Sequence, residues 1–330
     1  MLMTSFRALV VREAEDQFLR YVEKRQIDEL PEGEVLIRVR YSSLNYKDAL
    51  SATGHRGVTQ AYPHTPGIDA AGKIVESAIA DYKPGDSVLV TGYDLGMNTA
   101  GGFGQYIRVP AHWLVRLPEG LALKESMGYG TAGFTAALSV HHIIETGIKP
   151  DQGDIVVTGA TGGVGSLAVA ILAKNGFRVV AATGKASETD FLKKLGAYEV
   201  IDRRTLDDDS GRPVLSGRWA AAIDTVGGNI LSTLIKTTQY HGVITCCGLV
   251  ASPELHTTVY PFILRGVKLI GIDSVLCPMD LRLKIWQRLA TDWKINTLNN
   301  ILTECDLEDL NAQIDRILSG QMRGRIVVKL

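Results

Sequence analysis

Short apolar stretches broken by glycine and proline fill the first third of the chain. Val35-Leu36-Ile37-Arg38-Val39-Arg40 follows the turn Pro31-Glu32-Gly33 and has the composition of a strand. Ala70 to Val75, Ser87 to Thr91, Gly104 to Val109 and Trp113 to Leu117 read the same way. Lys83-Pro84-Gly85-Asp86, Pro110 and Pro118 punctuate them. Many short strands with such turns predict a small barrel or sandwich.

From about Glu125 the pattern becomes alternating helix and strand. Strands are expected at Ile155 to Thr158, Phe177 to Ala182, Glu199 to Ile201, Ala220 to Ile223, Gly242 to Cys246 and Val267 to Ile272. Helical spacing is clearest over Val164 to Asn175, with Gly176 placed to cap it, and over Ser187 to Leu195. Strands joined by crossover helices predict a doubly wound parallel sheet with its ligand at the carboxyl ends of the strands. After Ser274 come helical stretches at Met279 to Asp292 and Leu307 to Leu318, then a strand at Arg325 to Lys329. The expected fold is therefore α/β. A β-rich domain over 1–125 and 275–330 receives a nucleotide-binding domain, 126–274, as an insertion.

Composition agrees with two folded domains. The chain has 330 residues, 45% of them hydrophobic and 22% charged, which supports a sizeable core. Lys and Arg total 35 against 36 Asp and Glu, so there is no basic excess of the kind a nucleic-acid binder shows. The cysteines, Cys246, Cys247, Cys277 and Cys305, lack disulfide spacing and fit reduced thiols in a cytoplasmic setting. The apolar run after Met1 is short and meets Glu13, Glu15 and Asp16, unlike a signal peptide. The uncharged run Ile155 to Ala173 is glycine-rich in its first half and reads as strand, turn and helix rather than a membrane span. Asp207-Asp208-Asp209 reads as a solvated loop.

The strongest local signal is Gly159-Ala160-Thr161-Gly162-Gly163-Val164-Gly165, between a strand and a helix. Gly159, Gly162 and Gly165 form G-x-x-G-x-x-G rather than the usual G-x-G-x-x-G. Without side chains the backbone can approach a pyrophosphate at the positive end of a helix. Gly159, Thr161, Gly162, Gly163 and Val164 are the expected contacts. A site for NAD usually carries an acid at the end of the next strand, for the ribose 2′-OH. Here that strand ends Ala182-Thr183-Gly184-Lys185, with no carboxylate before Glu188. Thr183, Gly184 and Lys185, with Arg203 after the following strand, suit a 2′-phosphate, so NADPH is the expected cofactor.

Other chemistries find little support. There is no H-E-x-x-H, no spaced cysteine set and no Walker A sequence, and no metal site is expected. Gly85-Asp86-Ser87-Val88-Leu89 lacks the last glycine of a nucleophile elbow. His141-His142 lies in a helical stretch and reads as structural; Cys246 and Cys247 read as core packing, with Cys247 near the cofactor.

Asn45-Tyr46-Lys47-Asp48, Pro66-Gly67-Ile68-Asp69 with Gly72, Gly85-Asp86-Ser87-Val88, Gly130-Thr131-Ala132-Gly133-Phe134-Thr135-Ala136 and the glycine loop occur in that order. The sequence thereby resembles the medium-chain dehydrogenase/reductase superfamily, in its quinone oxidoreductase-like branch. Ser43 to Leu50, Ile223-Asp224-Thr225-Val226-Gly227 and Pro261-Phe262-Ile263-Leu264-Arg265 bring it nearer the acrylyl-CoA reductase group. The resemblance covers nearly the whole chain. It implies a GroES-like catalytic domain, a Rossmann domain, NADPH between them, and a homodimer through the edge of the Rossmann sheet. Zinc-dependent members carry Cys near Asn45 and Gly-His-Glu near Gly67. This chain has Leu44, Asn45 and Gly67-Ile68-Asp69 there, and no cysteine between Thr91 and Gly104, so it resembles the zinc-independent branch.

Without a Lewis acid an α,β-unsaturated carbonyl is the easier acceptor, since hydride at its β-carbon gives a delocalised enolate. Tyr46 is the first candidate for the polar catalytic group, either as donor or as a wall of the nicotinamide. Asn45 either orients the substrate carbonyl or holds backbone. Thr131, Ser274 and Leu249 are expected near the nicotinamide. Arg325 matches a family position close to the cofactor, or pairs with an acid. Lys47, Arg56 and Arg265 are available for CoA phosphates, or are surface charges. Expected partners are a small-molecule enoyl-CoA, enone or quinone, with neither nucleic acid nor membrane. The contending functions are an acrylyl-CoA reductase, a quinone or small-enone reductase, and a non-catalytic NADPH-binding protein.

Overall fold

The computed structural model describes residues 5–15 and 17–330. Met1 to Thr4 and Asp16, part of the stretch assessed as an export signal, lie outside the described residues. In chain order the elements are β1 (Ser5–Ala14), β2 (Gln17–Gln26), β3 (Val35–Leu44), α1 (Tyr46–Ser51), β4 (Asp69–Ser77), β5 (Ser87–Thr91), β6 (Tyr106–Val109) and β7 (Val115–Arg116). There follow α2 (Leu123–Glu145), β8 (Ile155–Val157), α3 (Gly163–Lys174), β9 (Val179–Thr183), α4 (Thr189–Lys194), β10 (Glu199–Asp202), β11 (Trp219–Asp224) and α5 (Gly228–Thr237). The last are β12 (Thr238–Cys246), α6 (Tyr260–Arg265), β13 (Lys268–Gly271), α7 (Met279–Ala290), α8 (Leu298–Ile301), β14 (Leu302–Asp306), α9 (Leu310–Leu318) and β15 (Arg325–Lys329).

The chain divides into two units. The first takes in the chain to Thr131, Pro278–Leu283 and Ile301–Leu330; the second is Ala132–Cys277 with Lys284–Asn300. The first is built on a seven-stranded sheet ordered β14-β15-β3-β4-β5-β7, with β6 also paired to β3. One edge of β3 is shared: Val35 to Arg38 pair with β6, and Tyr41 to Leu44 with β15. Val35, Ile37 and Val39 alternate into a core with Val88, Val90 and Ile107, as the period-2 pattern demands. The carboxyl-terminal strand β15 thus returns to this unit.

The hairpin β1–β2 was not legible in the sequence. Its register runs from Ser5↔Gln26 to Ala14↔Gln17. β1 is the more deeply anchored strand, through Leu9, Val10 and Val11, which are fully buried, while Phe18 and Val22 of β2 pack partly buried against the same core. The Leu9 amide donates to the Phe103 carbonyl at 2.9 Å, and Val11 exchanges backbone hydrogen bonds with His64. β2 is polar and largely half-buried, so it shows no apolar alternation. Likewise β14 pairs in parallel with β15 while carrying Thr303, Glu304 and Asp306.

The second unit holds a six-stranded parallel sheet ordered β10-β9-β8-β11-β12-β13. Its order reverses beside β8, the first strand, which is where such sheets open a ligand crevice. β9 and β11 are buried along their whole length, hence the continuous Val-Val-Ala-Ala-Thr and Trp-Ala-Ala-Ala-Ile-Asp. The run Ile155 to Ala173 is β8, the glycine loop and α3, and Gly176 closes α3 at φ +80°. Among the described residues no helix is long and apolar enough to cross a membrane. The triple aspartate is no simple solvated loop. Asp208 accepts from Lys236 Nζ at 3.0 Å, and Asp207 accepts from Asn229 Nδ2 at 2.7 Å.

Candidate active site

The glycine loop is a cradle that side chains would fill. Gly159 sits at φ +56°, and a Cβ there would lie 2.4 Å from Thr225 Oγ1. A Cβ on Gly165 would lie 2.3 Å from the Gly159 carbonyl oxygen. That contact is why the third glycine is needed: α3 starts directly over the end of β8. Gly162 precedes the helix in extended conformation, and α3 begins at Gly163 and Val164. The first turn of a helix presents N–H groups with no acceptor inside the helix, which suits a diphosphate. Thr161 is buried in the loop.

Asp224, at the end of β11, anchors the cradle from beneath. Its carboxylate accepts from Thr158 Oγ1 at 2.8 Å and from the Gly227 amide at 2.8 Å. Burial raises its pKa, and those donors resist the rise. Thr225 in turn donates its amide to Thr158 Oγ1 and its hydroxyl to the Thr158 carbonyl. Cys247 Sγ donates to the Asp224 carbonyl at 3.4 Å, and burial pushes its thiol up to about 12, so it is no nucleophile at neutral pH. Leu249 is 63% exposed, just beyond β12. Ser274 is half-buried after β13.

Sheet register brings together the residues expected at the 2′-phosphate. Asp202 of β10 pairs with Thr183 of β9, so Arg203 and Gly184 follow side by side. A Cβ on Gly184 would meet Arg203 Nε at 2.9 Å, so the guanidinium lies against the glycine. Thr183 Oγ1 accepts the Lys185 amide at 3.0 Å. Burial pulls the Lys185 ammonium below its ordinary value, against the opposing pull of Glu188. A phosphate dianion would relieve that penalty. These residues and the cradle fit an NADPH-type nucleotide.

In the first unit a buried polar core surrounds Asp69, which the sequence reading left without a role. At Gly130 the helix α2 is broken, with φ 51° and ψ −157°. The next residue, Thr131, donates its amide to both Asp69 oxygens at 3.0 and 2.9 Å and its hydroxyl to Oδ1 at 2.6 Å. Ser43 Oγ and Asn45 Nδ2 donate to Asp69 Oδ2 at 2.5 and 2.8 Å. Arg325 Nη2 lies 3.7 Å from the same oxygen and donates to Ser43 Oγ at 2.7 Å. Its Nη1 reaches the Leu44 carbonyl and Asn45 Oδ1, both at 3.1 Å. Arg325 therefore pairs with an acid, the second of the alternatives open to it. Burial presses its pKa down, and Asp69 and Asp48 push it back up.

Asn45 and Asp48 start α1. The Asp48 carboxylate accepts the amides of Asn45, Gly67 and Ile68 at 2.7, 3.1 and 2.8 Å. Burial, helped by Asp69, raises its pKa to about 7. The Asn45 side chain bonds Asp69, Arg325 and the Ser43 carbonyl. Tyr46, the first residue of α1, is 42% exposed. Of the cations considered for CoA phosphates, Arg265 donates to the carbonyls of Lys236, Thr238 and Leu215. Those lie at the amino end of β12, opposite the glycine loop's edge of the sheet. Arg56 bonds Glu13 and the Gln60 carbonyl and covers the Tyr62 ring at 5.3 Å. Lys47 is half-buried on α1.

Two family descriptions match the chain: "Alcohol dehydrogenase GroES-like domain" over residues 31–119 and "Zinc-binding dehydrogenase" over 163–290. YhfP of Bacillus subtilis (strain 168), named as a candidate quinone oxidoreductase, is 45% identical over 99% of each chain. The chain belongs to the medium-chain dehydrogenase/reductase superfamily. Among other superfamily members, the acrylyl-CoA reductase AcuI of Ruegeria pomeroyi is 42% identical over 98% of each chain. The crystal structure of YhfP with NAD bound superposes with a TM-score of 0.97, covering 99% of this chain and 100% of that one. The YhdH oxidoreductase from Salmonella enterica, in complex with NADP, superposes at 0.96 with 41% identity, covering 98% and 99%. This chain is an oxidoreductase of the zinc-independent, quinone oxidoreductase-like branch of the superfamily. Its GroES-like unit offers a metal little at Asp69, whose lone pairs are taken by N–H and O–H donors. Among the described residues no three His, Cys, Asp or Glu side chains converge as a metal centre requires.

Proposed function

We propose that the chain is an NADPH-dependent reductase of α,β-unsaturated carbonyls, acting by hydride transfer to the β-carbon, with acrylyl-CoA or a related enoyl thioester as substrate. The observation that carries the cofactor is the end of β9: Thr183, Gly184 and Lys185 with the Arg203 guanidinium against Gly184, and no carboxylate. When bound, NADPH supplies the reducing equivalent. The loop Gly159, Thr161, Gly162, Gly163 and Val164 holds the diphosphate, and Lys185 and Arg203 the 2′-phosphate. Thr131, Ser274 and Leu249 are assigned to the nicotinamide end. The Tyr46 phenol, exposed at the start of α1, donates to the developing enolate oxygen. Asn45 and Arg325 secure the backbone from which Tyr46 projects.

A quinone or small-enone acceptor is the second reading. It is favoured by the similarity to YhfP and by the commitment of Arg56 and Arg265 to bonds inside the protein, which removes two cations from CoA recognition. Following NADPH oxidation by its near-ultraviolet absorbance tests both, with acryloyl-CoA, 1,4-benzoquinone and an NADH control. A much larger kcat/KM for acryloyl-CoA supports the first. Quinone turnover without response to acryloyl-CoA leaves the second, and NADPH binding without turnover leaves a non-catalytic binder.

The same reading includes a cytoplasmic homodimer. Four free cysteines support a reducing compartment. On the crossover helix α6 that leads into the edge strand β13, and at the residue before it, Ile263 and Val259 are 70% and 66% exposed, which supports a second copy there.

A further inference from the structure

We infer that Asp69 is the positioning residue of this active site, one carboxylate that fixes Thr131 and the backbone bearing Tyr46 relative to each other. This rests on the reductase reading above.

The ordinary way to start a helix is a capping side chain on the residue before it. The residue before Thr131 is Gly130, which has none. The cap comes instead from Asp69, on β4, at a sequence separation of 62. The start of that helix is therefore referenced to the β3–β4 sheet rather than to its own loop. The same carboxylate takes Asn45 Nδ2, and Asn45 immediately precedes Tyr46. Asp69 and Ser43 are fully buried, Asn45 and Arg325 are buried, and Thr131 is half-buried. The arrangement carries evident costs in a desolvated ion pair and a glycine-only backbone conformation. Asp69 is fully buried, so its influence passes through Thr131 and Asn45.

Asp69→Asn keeps the shape but replaces one acceptor oxygen with a donor facing Ser43, Asn45 and Thr131. Misplacing a reacting group by about 1 Å costs on the order of a hundredfold in rate. The test measures kcat per NADPH-binding site, counted by titrating NADPH fluorescence, with acryloyl-CoA and benzoquinone as acceptors. A merely structural role would lower the number of sites and leave kcat per site unchanged. The expected result is a fall of at least about tenfold per site, with a smaller fall for Ser43→Ala, which removes one donor and one Arg325 contact. The Asp69→Asn/Thr131→Ala double variant should then lose less than the two single losses combined, because both disturb the same Asp69–Thr131 contact. Wild-type kcat per site in Asp69→Asn, or strictly additive losses in the double variant, overturns the inference and leaves the reductase reading standing. Should Asp69→Asn not fold, Ser43→Ala decides by the same criterion. A wild-type protein that turns over no conjugated acceptor overturns the reductase reading, and this inference with it.

Discussion

Gly130→Ala should be among the most damaging single-methyl additions in the chain, for reasons that can be separated. At φ 51° and ψ −157° the backbone lies in a region nearly restricted to glycine, worth ~1–3 kcal/mol. The new Cβ would also lie 2.5 Å from Asp69 Oδ2, 2.6 Å from Ser43 Oγ and 2.8 Å from Arg325 Nη2. None of these is a loose side-chain end, because each is buried and hydrogen-bonded. Moving them costs a further ~1–3 kcal/mol of overpacking, before any charge-assisted hydrogen bond breaks. Gly85→Ala is the control: φ is +94°, but nothing lies within 4 Å of its Cβ, so only the backbone cost applies. A domain of this size loses about 2–4 °C of Tm per kcal/mol. Calorimetric melting should therefore place Gly130→Ala about 2–12 °C below Gly85→Ala. Equal melting temperatures would refute the claim that the Asp69 core is rigid.

Other outcomes follow from the same geometry. Lys185→Ala and Arg203→Ala should each raise KM for NADPH about tenfold, with KM for NADH nearly unchanged in steady-state assays, since a charged hydrogen bond is worth ~1.5–3 kcal/mol and solvent screens part of it. Asp48, held at about 7 when folded, binds its proton more tightly in the native state than in the unfolded chain. Its contribution to stability is full below the ordinary carboxylate range and is lost as pH rises through 7, so Tm should fall between about pH 4 and 7. Asp48→Asn should flatten that fall, and an unchanged slope would assign the dependence to another group. Ile263→Asp should shift the protein to a monomer in size-exclusion chromatography with light scattering, whereas a dimer that survives places the interface elsewhere.

The nucleotide unit was largely legible from residues alone. A buried parallel strand, a glycine turn and a helix of small and apolar residues each leave a local pattern, so β8, the loop and α3 could be read in order. That Thr183, Gly184 and Lys185 fall at a strand end was also readable, because strand ends fall at fixed distances from the glycines. The hairpin β1–β2 was not, since β2 lies half-exposed on a neighbour and keeps no apolar alternation. The commitments of Arg56 and Arg265 were hidden for another reason. A cation's partner depends on which carbonyls the fold leaves beside it.

Sequence by itself thus determined the layer architecture, the glycine turn between β8 and α3, and the end of β9 without a carboxylate, all properties of contiguous segments. Tertiary structure alone decided what Asp69 does. Its partners, Ser43, Asn45, Thr131 and Arg325, come from distant segments and meet only when β3, β4 and β15 pair and α2 breaks at Gly130. A buried carboxylate must find donors wherever the fold brings them, and sequence spacing carries no record of that meeting.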